Sequence, residues 1–182
     1  MSIENSINPA NISKTAILAL HDLPPGDAYN ALPSSLETLT FFAAYPTLKS
    51  CLGCFGCWVK TPTKCVIKDK GADFVGLLAK LSQLVIISRL VFGGLSPDVK
   101  TVIDRSIGFV MPFFRISNGE SRHVRRIGNP FSSRYILYGQ DITEAEKETA
   151  KKMAQANSLN LGSGQFTIEF HATALEAVRA LI

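Results

Sequence analysis

The sequence predicts an α/β fold: a doubly wound, five-stranded parallel sheet in the order 2-1-3-4-5, with helices on both faces. Three observations carry that expectation. Short apolar runs alternate along the chain with segments of helical spacing. The runs are apolar at successive positions, as strands covered on both faces require. The chain has 182 residues, 46% hydrophobic and 19% charged, enough to bury one such core without a disulfide or a metal.

Taken in order, residues 1–14 are polar and aperiodic and read as a flexible arm, leaving 15–182 as a single domain. Thr15–Leu20 is the first strand, and His21–Gly26, with Pro24 and Pro25, is its turn. Glu37–Ala43, rich in Thr and Phe, is the second. Residues 72–82 place Phe74, Leu77, Leu78 and Leu81 at helical spacing. Leu84–Ser88 is the clearest central strand, and Arg89–Leu95 reads as the loop after it. Ser96 caps a helix that starts at Pro97 and runs to about Phe109. Residues 112–132 form a basic excursion. Arg134–Tyr138 is the fourth strand. Thr143–Ala156 is a helix with Thr143 and Glu146 as a capping box. Gln165–His171 is the fifth strand, and Thr173–Ile182 closes the fold as a helix.

Composition narrows the function classes. The first fourteen residues lack a basic start and an apolar run, and no run of 18 apolar residues follows. The expectation is a cytoplasmic protein with no membrane partner. The 19 basic and 15 acidic residues leave +4, a mild surplus that does not call for nucleic acid. In such sheets ligands sit beyond the carboxyl ends of the strands where the strand order reverses, here between the first and third strands. His21–Asp27 and Arg89–Ser96 lie there, with the segment that follows the second strand next door.

That segment holds all four cysteines. Cys51, Cys54, Cys57 and Cys65 follow the pattern C-x2-C-x2-C-x7-C. In a reducing compartment such clustering points to a metal, an iron–sulfur cluster or redox chemistry before disulfides. Gly53 and Gly56 let the backbone wrap a centre. Four thiolates suit a four-iron cluster, zinc is a second possibility, and free thiols are the plain alternative.

The stretch Cys51-Leu-Gly-Cys54-Phe-Gly-Cys57-Trp58-Val-Lys-Thr-Pro62-Thr-Lys-Cys65 resembles the cysteine segment of flavodoxin-like NAD(P)H-dependent FMN reductases and iron–sulfur flavoproteins. Gly93-Gly94-Leu-Ser96-Pro-Asp-Val-Lys100 through Asp104-Arg105 is similar to the same family's flavin loop and following helix. The resemblance implies a homodimeric oxidoreductase that passes electrons from NAD(P)H through FMN to a small-molecule or protein acceptor. It implies that Arg89, Val91, Phe92, Gly93, Gly94, Ser96, Gly139 and Gln140 cradle the flavin. It implies that Cys51, Cys54, Cys57 and Cys65 hold a [4Fe-4S] cluster. The basic run Arg122–Arg126, with Arg115, is a candidate for the phosphates of NAD(P)H or for a partner. Phe109–Phe114 is a candidate dimer contact.

Two departures from the family's pattern matter, the first against the FMN phosphate and the second, Thr63, for the shape of the cysteine loop. The family's first loop holds the FMN phosphate on backbone amides and hydroxyls. Here Pro24 and Pro25 lack the N–H, and Asp22 and Asp27 put negative charge at the seat. Asp27 is expected to cap a short helix over 28–32, filling the helix end that an anion would use. Thr63 stands where the family has glycine. A second expectation follows: a flavodoxin-like binding module that has lost the phosphate loop and acts on a ligand or partner.

Overall fold

A computed structural model of the chain describes residues 16–33, 38–117, 119–162 and 164–181. The expected arm over 1–14 lies outside the described residues. From the N-terminus the elements are β1 (Ala16–His21), α1 (Asp27–Asn30), β2 (Leu39–Ala43), α2 (Gly56–Val59) and α3 (Phe74–Leu78). They continue as β3 (Leu81–Val91), β4 (Gly94–Leu95), α4 (Pro97–Arg105), β5 (Val110–Ser117) and β6 (Glu120–Arg125). The chain closes with β7 (Ser132–Tyr138), α5 (Glu144–Leu161), β8 (Phe166–His171) and α6 (Ala174–Leu181).

The result is an α/β fold on a mostly parallel sheet. Its parallel strands run β2-β1-β3-β7-β8, and β4 adds a sixth, antiparallel to β3. β5 and β6 form a separate antiparallel hairpin. The strand count and numbering therefore differ from the expected five in the order 2-1-3-4-5, because β4, β5 and β6 intervene between the third and fourth parallel strands.

Each difference has a local cause. β3 outruns the apolar stretch 84–88 because Phe92 and Gly93 take φ of 50° and 78°. That is the two-residue hairpin turn, and it folds Gly94-Leu95 back onto Leu90-Val91. The expected loop 89–95 is thus strand and turn. The expected basic excursion is the hairpin β5–β6. α4 ends at Arg105 and tightens into a 3-10 turn over Ser106–Phe109. The helix expected over 72–82 is shorter, a 3-10 turn over Lys70–Asp73 and then α3. Gly26 is the N-cap of α1, with no side-chain cap from Asp27. Ser96 caps α4 and Thr143 with Glu146 forms the capping box of α5, both as expected.

Alternation along the strands divides the core. Leu18, Leu20, Leu84, Ile86, Tyr135 and Leu137 face α3, α4 and α5. Ala19, Val85, Ile87 and Ile136 face the other way, toward Ala177 and Val178 of α6. Phe109 and Val110 are buried in the larger face, Met111 and Pro112 are partly exposed, and Phe113 and Phe114 of the expected dimer contact are exposed. Among the described residues no helix is long and apolar enough to cross a membrane.

Candidate functional site

The carboxyl edge is organised by one carboxylate. Register pairs His21 with Ile87 and Arg89 with Tyr138, which places Asp22 beside Ser88. Asp22 is only 7% exposed. Its Oδ2 accepts the Arg89 backbone N–H at 2.9 Å, with the Ser88 hydroxyl at 3.5 Å. Its Oδ1 accepts the Tyr138 hydroxyl at 2.8 Å. Ser88 Oγ in turn accepts the Ser96 N–H at 3.0 Å, joining the start of α4 to the same network. Asp22 therefore ties β1, β3 and β7 together where the strand order reverses. Burial, and then the charge and hydrogen bond of Asp22, push the Tyr138 phenol well above its usual range, so it stays a donor.

Beneath this network lies His21, 1% exposed, whose Nδ1 accepts the Leu23 N–H at 3.3 Å. Burial, with the charge of Lys70 second, lowers its pKa to about 4. The neutral ring thus holds the turn that stands in the place of the family's phosphate loop.

The expected flavin residues are divided among different surroundings. Arg89 and Val91 lie in β3, and Val91 pairs with Gly94. Phe92, at 91% exposure, projects from the turn. Gly93 is buried against α5, where an added Cβ would sit 2.6 Å from Thr149 Cβ and 3.1 Å from the Glu146 carbonyl. Its lack of a side chain is explained by that packing. Gly139 donates its N–H to the His171 carbonyl, and Gln140 lies exposed in the following turn. Gly139, Asp141, Ile142 and Lys147 line a cavity of about 210 Å³ toward β8.

The residues at the crevice do not fit an FMN phosphate. The position nearest the amides is taken by a buried carboxylate, and Arg89 and Ser96 have already spent their N–H groups inside the network. α1 has only four residues and carries the acidic Asp27 in its first turn, which opposes a dianion.

The cysteine loop sits elsewhere. After β2 the chain passes the start of α4, where the Thr47 hydroxyl bonds Asp98, and descends along that helix. Cys57 reaches the far end, against Gly108, where an added Cβ would meet Cys57 Cβ at 3.1 Å. Trp58 Nε1 donates to the Ile107 and Val110 carbonyls at 3.0 and 2.8 Å. From Ser96 to Gly108 is about 18 Å at helical rise. The loop and the crevice thus occupy opposite ends of α4, and the expected convergence on one sheet edge does not occur.

Arg105, the last residue of α4, holds both stems of the loop. Its side chain is fully buried and grips Asp69 with two bonds of 2.7 Å. It also donates to the Lys49 carbonyl before Cys51 and to the Ile67 carbonyl after Cys65. The Asp69 hydrogen bond first, and the neighbouring Cys65 sulfur among the smaller causes, raise its pKa. Lys100, Asp104 and Arg105 share helical spacing on α4, which suits intrahelical or interface pairs. Lys100 and Asp104 do pair, and Arg105 instead turns inward.

Cys51 and Cys54 are exposed, Cys65 is partly covered and Cys57 is buried. Burial first, and then the charges of Cys65, Cys51 and Cys54, push the Cys57 thiol up. The donor set fits a thiolate-held centre in kind, since a cation would relieve that mutual repulsion. Among the described residues no three His, Cys, Asp or Glu side chains form a ready metal site. The basic run serves the chain itself: Arg122 pairs with Glu120, and Arg125 and Arg126 donate to the Gly162 and Trp58 carbonyls.

No protein-family model matches this chain, and no curated protein matches it.

Proposed function

We propose that this chain is a flavodoxin-like α/β module whose strand-end crevice is closed by its own carboxylate, and which acts by binding a partner through the face that carries the cysteine loop. The observation that carries the reading is Asp22, buried where the strand order reverses and already supplied with donors from β3 and β7. A phosphate entering there would face a desolvated negative charge, a cost of several kcal/mol without a compensating cation. The order β2-β1-β3-β7-β8 supports the flavodoxin-like assignment, with β4 and the β5–β6 hairpin as additions.

A second reading, an NAD(P)H-dependent oxidoreductase of the FMN reductase and iron–sulfur flavoprotein type, is favoured by the charges of Cys51, Cys54 and Cys65 acting on the buried Cys57. A cluster on Cys51, Cys54, Cys57 and Cys65 would supply a one-electron carrier. An anaerobic visible spectrum, taken before and after adding FMN and followed by gel filtration and an iron assay, separates the two. The module reading expects a colourless protein from which FMN elutes free. Flavin retained through the column overturns it. Iron near about four per chain assigns the cysteines to a cluster and favours the second reading.

A further inference from the structure

The hairpin β5–β6 stands apart from the main sheet. Phe113 and Phe114 are 66% and 64% exposed, beside the irregular pairing between Val110 and Phe114, while β6 is partly buried from Arg122 to Arg125. A two-stranded hairpin is by itself marginal in water. One of its faces continues into the cysteine loop through ring contacts. Phe114 meets His123 at 4.3 Å, His123 meets Trp58 at 5.7 Å, and Trp58 stacks on Phe55 at 5.2 Å. Leu52, Val59 and Ile116 are also exposed along these two segments.

The same segments concentrate positive charge. Residues 49–70 and 110–127 hold nine of the 19 basic residues and two of the 15 acidic ones, so the rest of the chain is net acidic. Arg115 and Arg122 are register partners across the hairpin. Like charges directly opposite destabilise a strand pair. Glu120 answers only one of them, through Arg122. Burial and then Arg115 hold the Arg125 guanidinium below the usual arginine range. The Nε atoms of Arg125 and Arg126 are buried without a hydrogen-bond partner. Arg115, exposed and without an ion pair among the described residues, is the cation of the hairpin that an external carboxylate can reach.

We propose that this face docks an acidic protein: an aliphatic or aromatic centre covering Phe55, Phe114 and Ile116, with carboxylates at its rim meeting the exposed Arg115. The inference rests on the partner-binding reading above. A second copy of the chain would set two basic rims against each other, which charge complementarity disfavours. The rings of Phe55 and Phe114 could also stack bases, but Leu52, Val59 and Ile116 extend the strip with aliphatic surface, which favours a protein over single-stranded nucleic acid.

Trp58, the chain's single tryptophan, lies inside the strip and reports on it. The probe is an amphipathic peptide with glutamates on one face and leucine and phenylalanine on the other. Its lysine counterpart and oligothymidylate serve as comparisons. The acidic peptide is expected to change Trp58 fluorescence saturably and to bind more weakly as salt rises. Phe114→Ser, and separately Arg115→Glu, should raise its Kd about tenfold or more. Unchanged far-UV circular dichroism and unfolding midpoint show that these surface variants fold. Four outcomes overturn the proposal: no response to the acidic peptide, equal binding of the lysine peptide, tighter binding of oligothymidylate, or a sedimenting dimer that Phe114→Ser dissociates. A chain that releases FMN and ignores the peptide fails here alone. One that retains FMN fails the reading beneath it.

Discussion

Replacing Arg105 with Met keeps the apolar stem and removes the guanidinium, and so isolates the clamp on the cysteine loop. Breaking a buried ion pair by removing one partner costs about 3–5 kcal/mol. The Asp69 side chain is 22% exposed and recovers part of its hydration, which argues for the lower end, about 3 kcal/mol. The Lys49 and Ile67 carbonyls lie on partly exposed segments, so water replaces their donors and adds little. Domains are stable by only about 5–15 kcal/mol, so the loss takes a large share. Urea unfolding should show a lower midpoint with an unchanged slope. Alkylation of Cys57 reads the loop itself. If the lost energy is local to the loop, Cys57 should label up to about a hundredfold faster, while the exposed Cys51 and Cys54 change little. The pH dependence has a definite sign. Arg105 lowers the Asp69 pKa below its ordinary 3.8. The clamp's contribution is therefore complete above about pH 3.8 and fades as pH falls through the lowered value, so wild type and variant converge in acid. Equal midpoints at neutral pH, or equal Cys57 labelling, would refute the assignment of Arg105 as the clamp.

Three further outcomes are expected. His21, at about 4 against 6.5 in the unfolded chain, should remove about 3 kcal/mol of stability as pH falls from about 6.5 to about 4; a His21→Gln variant that keeps the same acid slope in this window excludes it as the source. Thr63 sits at φ 70°, the left-handed region that costs a β-branched residue about 1–2 kcal/mol, so Thr63→Gly should raise the unfolding midpoint despite glycine's added chain entropy. Gly93→Ala should destabilise by about 1–3 kcal/mol, because it meets both a φ of 78° and the Thr149 side chain; a variant of unchanged stability would mean that the glycine is kept for a ligand and not for packing.

The parallel sheet was legible because its central strands carry apolar residues on both faces, a pattern that Leu84–Ser88 and Arg134–Tyr138 display without ambiguity. The caps at Ser96 and Thr143 were legible because capping is local chemistry. The hairpin β5–β6 was hidden by its own arginines, which break the apolar alternation that marks a strand. The Asn118-Gly119 pair between its strands was the available signal. β4 was hidden because Phe stands at the first position of a turn that ordinarily takes Asn or Asp. The Asp22 network could be read in part, since the two prolines and the acidic residues of the first loop opposed a phosphate. Tyr138 could not, because it lies 116 residues away and reaches Asp22 only through the strand order. The role of Arg105 was not legible, because spacing along α4 offers Lys100 and Asp104 as neighbours, while its partner Asp69 arrives on the cysteine loop.

The two ends of α4 now carry different arguments about what the chain maintains. At the Ser96 end, the backbone N–H groups of Arg89 and Ser96 are taken up by Asp22 and Ser88, so no ligand is needed to satisfy them. At the other end, the fold buries a whole guanidinium, leaves its Nε without a partner, and directs its remaining donors to the stems of one irregular loop. A buried ion pair is a poor way to gain stability, because a well-packed apolar group of the same volume does as well or better. Its use here is positional: it fixes where Cys57 and Trp58 enter the surface, and with them the ring strip that joins the loop to the hairpin. About 18 Å of helix separates that face from the crevice, so the crevice can close without disturbing it. The loop and the hairpin are for that reason the part of this molecule whose geometry is specified at a cost, and they are where its interactions are to be sought.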